Sequence, residues 1–199
     1  FLSIPHTNAL NIPANQDFEI FTVTTPFDKQ ARAIYAKGGV HSTDFTVYYW
    51  SNNYTVRFNG GAFSTNTGTG NNSDPNIGWV RRQGANGLVW NSSGGTSTDN
   101  SVGNAVLSNT FDASIGAFEE GTGRFFDGDI AEILLVKRAL STDEREKLEG
   151  FLAHKWGLEG ELPNGHPYAV SPPSTDQDVT ASHILEVKGD IVQNISGSG

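Results

Sequence analysis

Residues 123–168 read GRFFDGDIAEILLVKRALSTDEREKLEGFLAHKWGLEGELPNGHPY, and this stretch decides the fold. Its first part, residues 124–136, is rich in Phe, Ile, Leu and Val and reads as a strand. Ser141 then supplies a helix N-cap, and Glu144 three residues on completes an S-x-x-E capping box. Asp143 and Glu144 also place negative charge at the positive end of the helix dipole. Leu148, Phe151, Leu152 and Trp156 recur at i, i+3, i+4 and i+8 and form one apolar stripe. Gly157 falls where a left-handed C-terminal cap belongs, and Pro163 blocks any continuation. A single amphipathic helix among strands must lie on those strands, covering an edge or sealing one end of the core. Trp156 reads as its anchor.

Upstream, the chain is short strands and polar turns. Residues 18–25 (FEIFTVTT) are bounded by Asn15-Gln16-Asp17 and Pro26. Phe18 and Ile20 face one way and Phe21 and Val23 the other, so this strand is expected to be covered on both faces. Residues 31–37 form another strand that stops at Gly38-Gly39. Residues 44–50 (DFTVYYW) and 54–58 (YTVRF) are joined through Ser51-Asn52-Asn53, a hairpin signal. In the first of these, Phe45, Val47 and Tyr49 share a face opposite Thr46, Tyr48 and Trp50. Residues 77–83 and 88–91 flank Asn86-Gly87, a pair suited to the positive φ values of a tight turn. Residues 113–118 supply a further strand. Two segments, 64–76 (STNTGTGNNSDPN) and 92–104 (SSGGTSTDNSVGN), are polar and read as nearly structureless. Loops this long inside a compact domain are usually functional or mobile.

The totals agree with this pattern. A chain of 199 residues with 36% apolar residues and 23 Gly suits one large all-β domain plus a short appendage, its aromatics filling the space between sheets. A net charge of −9 excludes a nucleic-acid backbone or an anionic membrane as partner, since both need clustered Lys and Arg and Arg81-Arg82 is far too little. No run of 18 apolar residues exists, so no helix inserts into a membrane. The absence of Cys removes disulfides, thiolate catalysis and Cys-type zinc sites, and fits a bacterial or phage source better than a secreted animal one. A chain that starts at Phe1 and holds no Met reads as a piece of a larger product. Beyond Tyr168, Ser171-Pro172-Pro173-Ser174 reads as a linker and residues 184–187 and 191–192 as strand-like. The expected division is therefore a domain over 1–168 and a Pro/Ser-rich linker with a strand-like extension over 169–199, able to reach neighbouring subunits through 171–199.

Several of these segments together resemble a known family. Phe126-Asp127-Gly128-Asp129-Ile130-Ala131-Glu132-Ile133 is followed by Arg138-Ala139-Leu140-Ser141, the helix, Lys155-Trp156-Gly157-Leu158 and His166-Pro167-Tyr168. With Phe1-Leu2-Ser3-Ile4-Pro5, Asp17-Phe18-Glu19-Ile20 and Ile34-Tyr35-Ala36-Lys37-Gly38 at the front, this order is similar to the laminin G-like branch of the concanavalin A-like lectin/glucanase superfamily. The resemblance runs from Phe1 to Tyr168 and is a matter of texture only over residues 60–112. It implies an all-β jelly-roll sandwich of two antiparallel sheets with one C-terminal helix packed on it. It also implies the settings of such modules: bacterial surface proteins, companions of carbohydrate-active enzymes, and phage virions.

Fold does not fix function. Glycoside hydrolysis needs two carboxylates flanking the scissile bond. The glucanase branch carries them as E-x-D-x-x-E, and here no Glu has Asp two residues on, so the chain is not expected to be an enzyme. Calcium wants clustered oxygens. No cofactor is required, but the resemblance leaves room for a structural calcium, with Asp127 and Asp129 as its donors and Glu119, Glu120, Asp74 and Asp99 as further acids. His6, His41, His154, His166 and His183 form no zinc-ligand spacing. Sugar binding needs flat apolar faces beside amides and carboxylates. Tyr48, Trp50, Tyr54, Asp74, Trp90 and Asn91 are the candidate ligand-binding residues, Tyr48 and Trp50 being the expected exposed pair. These observations point to a non-catalytic carbohydrate-binding or adhesion module of an extracellular, cell-surface or virion-surface protein, with glycans or surface proteins as partners. The rival is an architectural virion domain acting through protein–protein contacts.

Overall fold

The computed structural model describes residues 1–28, 30–38, 45–58, 61–64, 74–84, 86–91, 95–99, 107–118, 121, 123–174 and 184–186, with backbone alone at 61–64, 86–91, 99 and 184–186. Among them are twelve strands and one α-helix. The strands are β1 (Leu2–Ile4), β2 (Phe18–Pro26), β3 (Arg32–Lys37), β4 (Phe45–Trp50), β5 (Asn53–Phe58), β6 (Gly61–Ser64), β7 (Asn76–Gln83), β8 (Asn86–Asn91), β9 (Gly95–Asp99), β10 (Ala113–Ile115), β11 (Gly128–Val136) and β12 (Ile184–Glu186). The helix α1 is Thr142–Trp156. Two six-stranded antiparallel sheets result, in the orders β1-β10-β3-β4-β5-β6 and β12-β11-β2-β7-β8-β9.

The space between the sheets holds the main core. Phe45, Val47 and Tyr49 of β4 and Tyr54, Val56 and Phe58 of β5 meet Phe18 and Ile20 of β2 and Val80 of β7. Phe18 sets its ring edge-on to Phe45, which stacks on Phe58. Two tyrosines tie the sheets together: Tyr54 Oη lies 2.8 Å from Thr22 Oγ1, and Tyr49 Oη donates to Asn76 Oδ1 at 2.8 Å. Gly78 makes room for Tyr54, since a Cβ there would stand 2.7 Å from the tyrosine ring. Strand β2 is covered on both faces as its composition demands, with Phe18 and Ile20 in this core and Phe21 and Val23 in a second one.

That second core lies on the outer face of the β2-containing sheet, where α1 is laid. Phe21, Val23, Ile77, Trp79, Leu134 and Val136 from the sheet meet Leu140, Leu152, Ala153, Leu158 and Leu162, with Leu148 packed alongside. The caps match the sequence reading. Glu144 N donates to Ser141 Oγ and Ser141 N to Glu144 Oε2, while Gly157 adopts φ +68° and closes the C-terminus. The helix therefore covers a sheet face, neither an edge nor an end.

Several local expectations are corrected. The exposed Phe151 (47%) and Trp156 (42%) are not on the buried arc, which runs through Glu149, Gly150, Leu152 and Ala153. Trp156 is no anchor, because its indole N–H turns to Glu132 Oε2 at 2.7 Å. The β7–β8 hairpin turns at Gly84 (φ +58°), and Asn86-Gly87 already pair with Gln83 and Arg82. The segment 92–104 contains β9, paired along β8 from Gly95↔Asn91 to Asp99↔Gly87. The β4–β5 hairpin turns on Ser51-Asn52 with φ +47° and +68°, leaving Asn53 paired with Trp50. Beyond residue 168, β12 pairs antiparallel with β11, Leu135 facing Leu185.

Candidate functional site

The outer face of the other sheet has a different make-up. Alternation along β3, β4, β5 and β10 places Ala33, Ala36, Thr46, Tyr48, Thr55, Arg57 and Ser114 on it, all buried, and ends β4 with Trp50. The segment between β10 and β11 crosses this face and supplies Phe118 and Arg124. Phe118 packs with Tyr48 and Ala33, its ring centroid 6.4 Å from that of Tyr48. Tyr48 lies edge-on to Trp50 at 6.3 Å. Two guanidinium groups join these rings. Arg57 stands 4.3 Å from the centroid of Phe118, and Arg124 stands 4.8 Å from Phe118 and 4.9 Å from Trp50. Trp50 remains 43% exposed.

Two residues beside this cluster, Ala31 and Arg124, have a left-handed backbone outside a tight hairpin turn. Among the described residues the non-glycine positions with φ in the left-handed region are Asn15, Ala31, Ser51, Asn52 and Arg124. Ser51-Asn52 are the central pair of the β4–β5 hairpin, whose turn type calls for it, which leaves Ala31 and Arg124 near Trp50. Ser51-Asn52 follow it directly. Ala31 leads into β3, and Gln30 Nε2 donates to Asn52 Oδ1 at 3.3 Å. Arg124, at φ +48°, accepts the Ala33 N–H on its carbonyl at 2.9 Å. Bulky residues occupy this region only where their surroundings impose it, and such positions gather at functional sites. Phe1 helps hold the crossing segment: its ring packs on Gly121 and lies 6.0 Å from that of Phe125.

The candidate ligand residues separate accordingly. Trp50 is an exposed aromatic face, whereas Tyr48 is only 4% exposed and supports Trp50 from below. Tyr54 must be removed from the ligand set, because it is fully buried between the sheets with its hydroxyl at Thr22. Asp74 is exposed just before β7, its carbonyl accepting from Asn76 Nδ2, and nothing described joins it to Trp50. Trp90 and Asn91 pair through their backbones with Trp79 and Gly78, and their side chains lie outside the described residues. Glu119, Glu120 and the polar residues 65–73 and 100–106 lie outside them too. Asp127 and Asp129 are both exposed, and no group of three His, Cys, Asp or Glu suited to a metal exists among the described residues. That pair alone does not make a calcium site, which needs more oxygens.

Arg57, Phe118 and Arg124 were missed by sequence reading. The available signal is GRFF at 123–126, a cation beside two aromatics in an acidic chain.

The chemistry under α1 is of another kind. Glu149 accepts the indole N–H of Trp79 at 2.7 Å, and His166 Nε2 lies 3.1 Å from its other oxygen. Glu19 accepts Leu140 N–H at 2.9 Å, with Arg81 Nε at 3.4 Å. Burial pushes both carboxyls up to about 7. Both are fixed by backbone or ring donors inside a packed layer and tie the helix and its entry to the sheet.

No protein-family model matches the sequence, and the search of curated proteins found no match. Solved structures do. The CBM40 module of the Ruminococcus gnavus IT-sialidase, bound to α2,3-sialyllactose, superimposes with a TM-score of 0.55 at 12% identity over 72% of this chain and 94% of that one. The native heptameric SAP-like pentraxin of Limulus polyphemus gives 0.52 at 15% identity over 71% and 77%. Mouse laminin α1 domains LG4-5 give 0.51 at 9% identity over 62% and 36%. The fold expected from the sequence is therefore found: a jelly-roll sandwich of two antiparallel sheets, similar to these structures, with a helix packed on one sheet.

Proposed function

We propose that this chain is a non-catalytic carbohydrate-binding module whose ligand docks at Trp50, on the outer face of the sheet that carries no helix. The observation that carries this reading is the exposed indole of Trp50, held against Tyr48 and Arg124 at the β4–β5 hairpin. A rigid flat ring beside oriented polar groups is what a sugar's apolar face and hydroxyls require. The shared fold with a sialyllactose-bound module supports the same reading. The work of such a module is adhesion to glycans at a cell or virion surface, outside the cell. The two carboxylates with raised pKa sit under the helix, away from Trp50, which supports a binding role over hydrolysis.

The test is a glycan array followed by titration. Saturable binding to a defined glycan class, reduced at least tenfold by Trp50→Ala with an unchanged fold, is the expected result. Absence of binding to any glycan, together with self-assembly or capture by a surface protein, would favour the architectural alternative. Release of reducing sugar would overturn the non-catalytic reading.

A further inference from the structure

We infer that Arg124 makes the Trp50 site selective for acidic sugars bearing a carboxylate. This rests on the glycan reading above and adds to it the class of sugar.

The inference starts from how the chain treats its other cations. Lys37 is buried and its ammonium is matched by Asn109 Oδ1, the Phe111 carbonyl and His6 Nδ1. Arg82 is buried and donates to the carbonyls of Pro13 and Gln16. Arg138 makes a two-pronged pair with Glu144, and Arg32 pairs with Asp28. Arg124 differs from all of these. It has no hydrogen bond and no ion pair among the described residues, although acids outnumber bases by 22 to 13.

Its position is nonetheless imposed. A left-handed backbone, the Ala33 N–H on its carbonyl and the rings of Phe118 and Trp50 fix where the guanidinium stands. Stacking on aromatic faces uses the flat side of a guanidinium and leaves its in-plane N–H donors unspent. Those donors form a rigid fork that matches the two oxygens of a carboxylate. An exposed indole for the sugar ring and a pre-positioned fork for a carboxylate are the two parts that recognition of a uronic or sialic acid requires. A tetrahedral sulfate shares the charge but fits a planar fork less well, so carboxylate sugars are the favoured class.

The test uses an array on which each uronic- or sialic-acid glycan is printed beside its carboxyl-reduced counterpart, with sulfated neutral glycans as a third arm. The acidic member should bind about 10- to 100-fold more tightly than its reduced counterpart. Arg124→Gln should remove that ratio while leaving weak binding to the reduced form, and Arg124→Lys should restore part of it. Raised salt should weaken the acidic member alone. Equal binding of both members overturns the inference and leaves the glycan reading standing, whereas no binding to either overturns both. Tightest binding to the sulfated arm also overturns it, in favour of a general anion site. If Arg124 serves only to pair with Glu119 or Glu120, Arg124→Gln will lower the melting temperature and leave the ratio intact, which likewise overturns the inference.

Discussion

The two sheets share a core but present opposite outer faces. On the β2-containing sheet the outer side chains are Phe21, Val23, Ile77, Trp79, Leu134 and Val136, and α1 is laid over them. On its partner they are mostly Ala, Thr and Ser, ending in Tyr48, Trp50 and Arg57. Each large apolar side chain left in water forfeits about 1.5–3 kcal/mol, so the first face has to be covered from within the chain. The second face carries fewer large apolar side chains, Tyr48 and Trp50 being the largest. It is crossed by the segment that bears Phe118 and Arg124, and it keeps Trp50 exposed. Both faces are thus covered, the first by α1 and the second where Phe118 packs on Tyr48 and Ala33, and on the second Trp50 is left 43% exposed at the end of β4.

The sharpest way to break this contrast is to unseat the helix. Leu152 is fully buried at the centre of the second core, so Leu152→Ala should cost about 2–5 kcal/mol, read as a lowered midpoint in denaturant. The mutant should still bind glycan wherever it remains folded, since α1 contributes no residue to the Trp50 cluster. Loss of binding in the folded mutant would mean that the two faces are coupled.

The carboxyls beneath the helix give the next effect. Glu149 and Glu19 rise from 4.5 to about 7, chiefly through burial. The folded state therefore binds more protons than the unfolded one between these values. The stability they contribute is greatest below pH 4.5 and is lost as pH rises through 7, each carboxyl costing on the order of 3 kcal/mol at pH 8. Arg81, Arg138 and Arg145 oppose the shift, and Glu146 adds to it at Glu149. His166, lowered from its ordinary 6.5 mainly by burial, acts the other way and costs stability as pH falls. Melting temperature should accordingly decline between about pH 4.5 and 7 and level off above pH 8. Glu149→Gln, whose amide oxygen can still accept the Trp79 N–H, should flatten the decline and raise the melting temperature at pH 8. An unchanged slope would show that Glu149 does not titrate in this range.

The same contrast explains what the sequence made legible. The caps of α1, the two-faced burial of β2 and the alternation in β4 follow from local patterns, because backbone hydrogen bonds and apolar periodicity are written in neighbouring residues. The side of α1 that packs was misread. A hydrophobic stripe counts Phe151 and Trp156 as inward, but the buried arc includes Glu149, a carboxylate made tolerable by Trp79, 70 residues away in sequence. Tyr54 failed as a ligand residue for the same reason, its partner Thr22 lying on the other sheet. Arg124 escaped notice because its role depends on φ +48° and on two rings from separate segments. Pairings across long sequence distances and imposed dihedrals have no local signature, and both the buried polar groups and the site are made of them.

The smallest stability effect decides most about function. Trp50 and Trp156 are equally exposed, at 43% and 42%, one on each outer face. Each carries a neighbouring cation, Arg124 at 4.9 Å from the first ring and Lys155 at 5.5 Å from the second. They differ in what holds them. The Trp156 indole N–H is spent on Glu132, whose carboxylate also takes Lys155, so that cation is neutralised in place. Arg124 has no such acid among the described residues. Replacing either tryptophan by Ala should cost about 1–3 kcal/mol of stability, since a half-buried ring and its cation–π contact are lost, and at Trp156 the hydrogen bond to Glu132 as well. Glycan affinity should then separate them, with Trp50→Ala losing tenfold or more and Trp156→Ala remaining within twofold of the unmodified protein. If the losses are equal, exposed aromatics on this protein bind sugar without regard to face. If Trp156→Ala is the weaker binder, the ligand lies on the helix side, and the imposed backbone around Trp50 has some other cause.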